Sequence, residues 1–392
     1  MKYFIVAGEA SGDLHGANLM KSLKVLDREA EFLYLGGDLM QEQGGRLLKH
    51  YRDMAFMGAV DVIMNMGKIR ENFRLCRRHL LEFRPDVLIL IDYPGFNLKM
   101  AQFAADHDIP VFYYILPKVW AWKAWRIKTL KKYVDGMFSI FPFEVPFFRK
   151  YGVEVHYTGN PLVDAVNEAT AAPYDLDSFL KDNKMPDKPL VALLPGSRAQ
   201  EIRLMLPVMS RLAADFPEFG FVISGTPALG PKIYEQYSSD PSIPVVFGKT
   251  YELLKYAHSA IVTSGTATLE TALFHVPQIV LYKMAGGKLG FRIFRKLFLK
   301  VNYYSLPNLI LQKEFLAEFI MDHMEYDFVK PEAEKLLRNQ LYRDVILSAY
   351  GELRYIMGEE GASDRTAAEM TGKLKLIIKE STNIGEFSPM KE

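Results

Sequence analysis

Leu190-Val191-Ala192-Leu193-Leu194-Pro195-Gly196-Ser197-Arg198 is a run of five aliphatic residues that halts at a proline, turns at a glycine and enters a helical pattern from about Gln200. A short, continuous apolar run bounded by turn residues reads as a strand buried on both faces, as in parallel sheets covered by helices. Its position decides the architecture, because it restarts an earlier pattern. Near the amino terminus, β-rich runs at 3–7, 32–35, 87–91, 111–115 and 137–140 alternate with longer helical stretches. A less regular, proline-dotted segment follows from about Gly159 to Pro189. Beyond it the alternation resumes, predicting strands at 190–194, 221–223, 245–247, 260–263 and 278–282. We therefore expect an α/β protein with two doubly wound, Rossmann-like domains facing a cleft suited to two substrates. The expected division is 1–165 for the first domain, 166–188 for a linker and 189–355 for the second domain. Residues 356–380 read as a helix that either ends the second domain or crosses back to the first, and 381–392 as a polar tail.

The totals agree with two domains, since 392 residues exceed what one core usually organises. With 49% hydrophobic and 24% charged residues the chain is of ordinary globular character. A formal net charge of +1 gives no general pull towards nucleic acid, so electrostatic targeting has to come from local clusters. The single cysteine, Cys76, cannot form an internal disulfide, and the amino terminus runs straight into a strand pattern, so a reducing cytoplasm is expected. No uncharged apolar run approaches the roughly 18 residues of a membrane-spanning helix. One cysteine and eight scattered histidines give no zinc-like spacing.

In open α/β sheets, ligands bind beyond the carboxyl ends of the strands, and four unusual loops fall there. Gly8-Glu9-Ala10-Ser11-Gly12-Asp13 offers a glycine turn and free amides at a helix start near Leu14, but lacks the spacing of a dinucleotide fingerprint, and Asp13 also reads as a helix cap. Asp92 follows four aliphatic residues in Leu88-Ile89-Leu90-Ile91-Asp92-Tyr93-Pro94-Gly95-Phe96-Asn97. Partial burial at that strand end suits it to general-base work, with helix capping as the alternative. Leu194-Pro195-Gly196-Ser197-Arg198 brings amides, the Ser197 hydroxyl and a guanidinium to one sheet end, a combination fit for a diphosphate. In Thr263-Ser264-Gly265-Thr266-Ala267-Thr268-Leu269-Glu270, Thr266 opens a helix towards the same ligand. Glu270, one turn on, reads either as an acceptor for ribose hydroxyls or as an exposed helical glutamate.

The pairs Asp106/Asp108 and Asp175/Asp177 lie away from strand ends, and no metal site is expected at them. No G-x-S-x-G elbow is present, which disfavours covalent hydrolase chemistry. Two basic and apolar stretches remain. Lys68, Arg70, Arg74, Arg77 and Arg78 flank a stripe of Ile69, Phe73, Cys76 and Leu80 after an apolar run at 54–66. Lys288, Arg292, Arg295 and Lys296 cluster opposite Leu289, Ile293, Phe294, Leu297 and Phe298. Both fit an anionic membrane surface, and both fit a solvated face over a core stripe.

Taken in order, GEASGD (8–13), Ile91-Asp92 with Phe96-Asn97, Val119-Trp120-Ala121-Trp122, LPGSR (194–198), SGTATLE (264–270) and Ser305-Leu306-Pro307-Asn308 resemble the lipid-A-disaccharide synthase family over nearly the whole chain. The resemblance implies a GT-B type glycosyltransferase, peripheral to the inner face of the inner membrane of Gram-negative bacteria. It implies transfer from UDP-2,3-diacylglucosamine to 2,3-diacylglucosamine 1-phosphate, giving a β-1,6-linked disaccharide 1-phosphate and UDP, with no cofactor. Carried onto this chain, it implies Asp92 as base, an acceptor side with Glu9, Ser11, Gly12, Asp13 and Asn97, and a UDP side with Ser197, Arg198, Ser264, Gly265, Thr266, Glu270 and Asn308. Gly95 stands where the family pattern has a second carboxylate, and Lys283 where it has arginine. The alternatives are a UDP-sugar 2-epimerase-like enzyme and a non-catalytic nucleotide-sugar binding protein.

Overall fold

A computed structural model describes residues 1–54, 66–121, 123–171, 175–183, 185, 187–283 and 302–386. The chain forms two compact units, one of residues 1–161 with 359–392 and one of residues 162–358.

The first unit is a seven-stranded parallel sheet. Its strands are β1 (Lys2–Ala7), β2 (Glu31–Gly36), β3 (Arg46–His50), β4 (Val87–Ile91), β5 (Val111–Tyr114), β6 (Gly136–Ser139) and β7 (His156–Tyr157), in the order β3-β2-β1-β4-β5-β6-β7. Because the order reverses between β1 and β4, the loops leaving those two strands diverge and open the crevice in which such sheets bind ligands. All five residues of β4 are buried, as a strand covered by helices on both faces requires. One face of the sheet packs Phe4, Val6, Leu88 and Leu90 against Cys76 and Leu80 of the helix Met66–Phe83 and Met100, Ala101 and Ala104 of the helix Pro94–Ala105.

The last helix, Ala362–Glu386, belongs to this first unit and packs along the helix Ala10–Leu26. Ala362, Thr366, Met370 and Leu374, spaced four apart, form its buried stripe. Polar contacts fix the register. The Ser22 hydroxyl donates to the Asp364 carboxylate at 2.6 Å, and the Thr158 and Thr366 hydroxyls lie 2.6 Å apart.

The second unit is a six-stranded parallel sheet of β8 (Leu190–Leu194), β9 (Gly220–Gly225), β10 (Val245–Phe247), β11 (Ala257–Thr263), β12 (Gln278–Tyr282) and β13 (Glu318–Ile320), ordered β10-β9-β8-β11-β12-β13. Its reversal lies between β8 and β11. The segment 166–188, expected to be a linker, instead carries most of the helix Pro161–Ala171 and all of the helix Leu176–Asp182. Phe179 of the latter is fully buried against Leu190 and Leu253, so this stretch is part of the second core. Prolines and polar residues had masked a single apolar anchor.

Among the described residues, no helix is long and apolar enough to cross a membrane. Lys288, Arg292, Arg295 and Lys296, together with residues 55–65, lie outside the described residues. The described part of the first basic stretch turns Cys76 and Leu80 inward and leaves Lys68, Arg70, Arg74, Arg77 and Arg78 exposed.

Candidate functional site

In the first unit the loops leaving β1 and β4 flank the reversal point. Asp92 and Tyr93 both adopt left-handed backbone conformations, with φ of 43° and 45°, a costly geometry for two successive non-glycine residues. Three interactions hold it. The Asn97 side-chain amide donates to the Asp92 carbonyl at 2.8 Å, the Tyr113 hydroxyl donates to the same carbonyl at 2.6 Å, and the Tyr93 hydroxyl donates to the Met54 carbonyl at 2.9 Å. Gly8 makes the approach possible, since a Cβ there would fall 2.3 Å from the Tyr93 ring. Tyr93, not Asp92, is the residue preceding the helix Pro94–Ala105, so the carboxylate of Asp92 does not serve as that helix's cap.

Asp92 is half-buried, and burial is the main reason its carboxyl rises from 3.8 to about 6. The neighbouring Glu9 carboxylate pushes it further up, while the Lys118 ammonium pulls it down. Glu9 is the half-buried residue that opens the helix Ala10–Leu26, and Ser11 is exposed in its first turn.

Three residues expected on the acceptor side make structural contacts in this unit. Asp13 is buried within the helix Ala10–Leu26, which starts earlier than expected, and its carboxylate accepts the amides of Gly37 (2.7 Å), Met40 (3.1 Å) and Leu39 (3.1 Å). It therefore caps the neighbouring helix Asp38–Glu42. Gly12 brings this helix onto β1, since a Cβ would lie 3.3 Å from that of Ala7. Asn97 is fully buried, donating to the carbonyls of Ile91 (3.1 Å) and Val6 (3.4 Å) as well as Asp92. It ties the ends of β1 and β4 together.

Sequence reasoning missed two charged residues beside Asp92. Lys118, exposed beyond β5, acts electrostatically on both Asp92 and Glu144. Glu144 is fully buried, accepts the Trp120 indole N–H at 2.8 Å and the Ser139 hydroxyl, and is raised by burial to about 7. A lone acid in the apolar run Phe141-Pro142-Phe143-Glu144-Val145-Pro146-Phe147 was the available signal.

In the second unit the β8 and β11 loops likewise flank the reversal. Gly196, with φ of 109°, turns the chain into the helix Ala199–Arg211, leaving Ser197 and Arg198 exposed. The groups assigned to a diphosphate are engaged by an internal carboxylate. Glu201 accepts the amides of Ser197 (2.9 Å) and Arg198 (3.2 Å), and the Arg198 guanidinium lies 3.4 Å from its other oxygen. These donors demonstrably converge on one anion.

Across the reversal, Gly265 and Thr266 are exposed at the start of the helix Thr266–Leu273, while the Ser264 hydroxyl donates to the Tyr304 carbonyl at 2.6 Å and so fastens the loop. Glu270 is half-buried, not an exposed helical glutamate. Burial raises its pKa, and it accepts the Tyr251 hydroxyl at 2.7 Å. Asn308, expected on the UDP side, is fully buried and its side chain is bonded within its own loop. Its amide nitrogen donates to Leu316 O and Glu318, both at 2.9 Å, and its oxygen accepts the amides of Phe315 and Leu316, both at 3.1 Å. Glu318, which sequence did not single out, also takes the amides of Tyr304 and Ser305 at 2.8 Å. A short polar edge strand gave no signal for it.

Among the described residues, no three His, Cys, Asp or Glu side chains gather as a metal ion would require. Asp106 and Asp108 end a helix, and Asp175 caps the helix Leu176–Asp182 through the Ser178 amide at 3.1 Å.

A family model described as Lipid-A-disaccharide synthetase matches residues 3–363. A Lipid-A-disaccharide synthase of Geobacter sulfurreducens is 35% identical over 381 residues, covering 95% of this chain and 98% of the relative. Among solved structures, a UDP-GlcNAc 2-epimerase from Neisseria meningitidis bound to UDP-GlcNAc superposes with a TM-score of 0.68 at 13% identity, over 95% of this chain and 100% of that one. The calicheamicin glycosyltransferase CalG4 does so with 0.56 at 14% identity, over 95% and 98%. At such identities these structures speak to the fold alone, two doubly wound α/β units of the GT-B kind.

Proposed function

Since the chain belongs to the lipid-A-disaccharide synthetase family, a family of glycosyltransferases acting in lipid A biosynthesis, we propose that it transfers 2,3-diacylglucosamine from UDP to the 6-hydroxyl of 2,3-diacylglucosamine 1-phosphate. The observation that carries the mechanism is Asp92, a half-buried carboxylate at the reversal point of the first sheet with its pKa at about 6. Such a group is ionised at neutral pH yet basic enough to take a proton as the bond forms. An α-linked donor and a β-linked product require inversion. One in-line displacement suffices. The acceptor oxygen bonds to the anomeric carbon as the bond to the diphosphate breaks, the hydroxyl proton passes to Asp92, and UDP leaves with the electron pair.

The second unit supports departure of UDP. The amides of Ser197 and Arg198, the Arg198 guanidinium and the helix start at Thr266 offer positive charge to the diphosphate, and Glu270 accepts from the ribose. With the diphosphate charge met by these groups, the reaction needs no metal ion. Lys288, Arg292, Arg295 and Lys296 would rest on anionic headgroups at the cytoplasmic face of the inner membrane, where the acylated substrates reside.

The test is product analysis by mass spectrometry and NMR after supplying both acylated substrates. A β-1,6-linked disaccharide 1-phosphate with one UDP per product is expected. UDP released, or the donor sugar epimerised, without acceptor would favour an epimerase instead.

A further inference from the structure

Tyr251 enters no part of the proposed mechanism, yet it reaches the donor side from a distant connection. It stands in the first turn of the helix Thr250–Tyr256, which carries the chain from the edge strand β10 across β9 and β8 to β11. Two contacts fix where that helix begins. The Thr250 hydroxyl lies 2.7 Å from that of Ser224 at the end of β9, and Lys249 donates to the Asn183 side chain at 3.1 Å. The Tyr251 ring packs on Phe274 with centroids 5.2 Å apart, and its hydroxyl donates to Glu270 Oε1 at 2.7 Å.

We propose that Tyr251 is a positioning residue for donor recognition, pinning one oxygen of Glu270 so that the other is presented to the ribose diol of a uridine diphosphate. The inference rests on the UDP-binding reading of Glu270 given above. A carboxylate offers about four acceptor positions on two oxygens, and a single donor on one of them fixes its plane without using up the other. Without that donor a half-buried glutamate on a helix is free to rotate its carboxylate and, since burial already favours its neutral form, to hold a proton. Either change would turn a directed acceptor into an indifferent one. A tyrosine does this better than a charged partner, because it leaves the negative charge available to the sugar hydroxyls.

Discrimination between UDP and its 2′-deoxy and 3′-deoxy analogues reads this directly, because loss of folding alone would weaken all three alike. By calorimetry the wild type should prefer UDP to at least one analogue by about ten- to hundredfold, the range for a hydrogen bond to a charged group. Tyr251→Phe should retain the thermal midpoint, lose about three- to tenfold in UDP affinity, and reduce that preference by a similar factor. Glu270→Gln should reduce it further. If Tyr251→Phe discriminates like wild type while Glu270→Gln does not, the Tyr251 proposal is wrong and the UDP reading stands. If neither Glu270→Gln nor Tyr251→Phe changes discrimination, Glu270 does not meet the ribose and both fall. Should Tyr251→Phe fold poorly, 3-fluorotyrosine at position 251 keeps the hydroxyl. Its fluorine resonance should move on adding UDP in the wild-type background and not in Glu270→Gln, and no movement in either overturns the proposal.

Discussion

Asp92→Asn should cut turnover sharply and stabilise the fold at once, and the second effect can be sized from the structure. Burial and the Glu9 carboxylate raise the Asp92 carboxyl from 3.8 to about 6 in the folded protein. Between those values the folded chain holds a proton that the unfolded chain has released. Stability therefore falls as pH rises from about 4 to about 6, and above that window the folded state carries the full cost of an ionised, half-buried carboxylate. The difference corresponds to about 3 kcal/mol. Asparagine keeps the shape and cannot ionise, so the variant should be more stable than wild type by up to about 3 kcal/mol at pH 8, the gain shrinking towards zero near pH 4. Thermal unfolding of the full chain across that range measures it. Turnover should drop by at least about a hundredfold, since positioned base catalysis contributes roughly 10² to 10⁴.

The same carboxyl sets the acid limb of the rate profile. Wild-type kcat/KM should fall about tenfold per pH unit below about pH 6. Removing the repelling charge with Glu9→Gln should move the midpoint down, and removing the attracting one with Lys118→Met should move it up. An active Asp92→Asn, or one no more stable than wild type at pH 8, would refute the reasoning.

Arg198→Ala should weaken UDP binding by about ten- to hundredfold in calorimetry, as loss of a charge-assisted contact does, whereas Glu201→Gln should tighten it a few-fold because the displaced carboxylate occupies the same donors. A weaker Glu201→Gln would mean that Glu201 serves the loop and does not compete. Activity should survive EDTA, and a loss restored by magnesium or manganese would overturn the proposed metal-independent mechanism. Changing Arg292, Arg295 and Lys296 together to Gln should reduce co-sedimentation with anionic vesicles at least about tenfold, given up to about 1 kcal/mol for each charge. Unchanged sedimentation would send the search for membrane contact to Lys68–Arg78.

The strands at the centre of each sheet were legible because burial on both faces leaves a continuous aliphatic run; β4, β8 and β12 fall on their expected residues, as does the apolar edge strand β10. The edge strands β3, β7 and β13 were not, since Arg46–His50, His156–Tyr157 and Glu318–Ile320 are only partly buried and carry polar residues that break the pattern. The helix start at Ala10 was placed four residues late because GEASGD is rich in turn formers, and only the approach of Gly12 to Ala7 explains why small residues suit a helix there. Phe179 shows the same limit from the other side. A single buried aromatic among Asp, Lys and Asn does not register as periodicity, although it commits the segment to the second core.

Polar residues near strand ends divide by what they must satisfy. Carbonyls at the ends of β1 and β4, where the strands give way to the reversal-point loops, are buried, and buried carbonyls need donors. Asn97 supplies them, and the same demand explains Asn308 in its loop and, with donor and acceptor exchanged, Asp13 beneath the amides of Gly37, Leu39 and Met40. All three are less than 4% exposed and bond to backbone, Asn308 also to the Glu318 carboxylate, which makes them part of the frame that holds the loops in place. Sequence cannot separate such residues from ligand contacts, because both occupy the same loops and use the same side chains. Accessibility does separate them. Ser197, Arg198 and Thr266 are exposed and Glu9, Asp92 and Glu270 half-buried at the two reversal points, and substitutions there should alter substrate handling without lowering stability, whereas Asp13→Ala, Asn97→Ala and Asn308→Ala should lower the unfolding midpoint first.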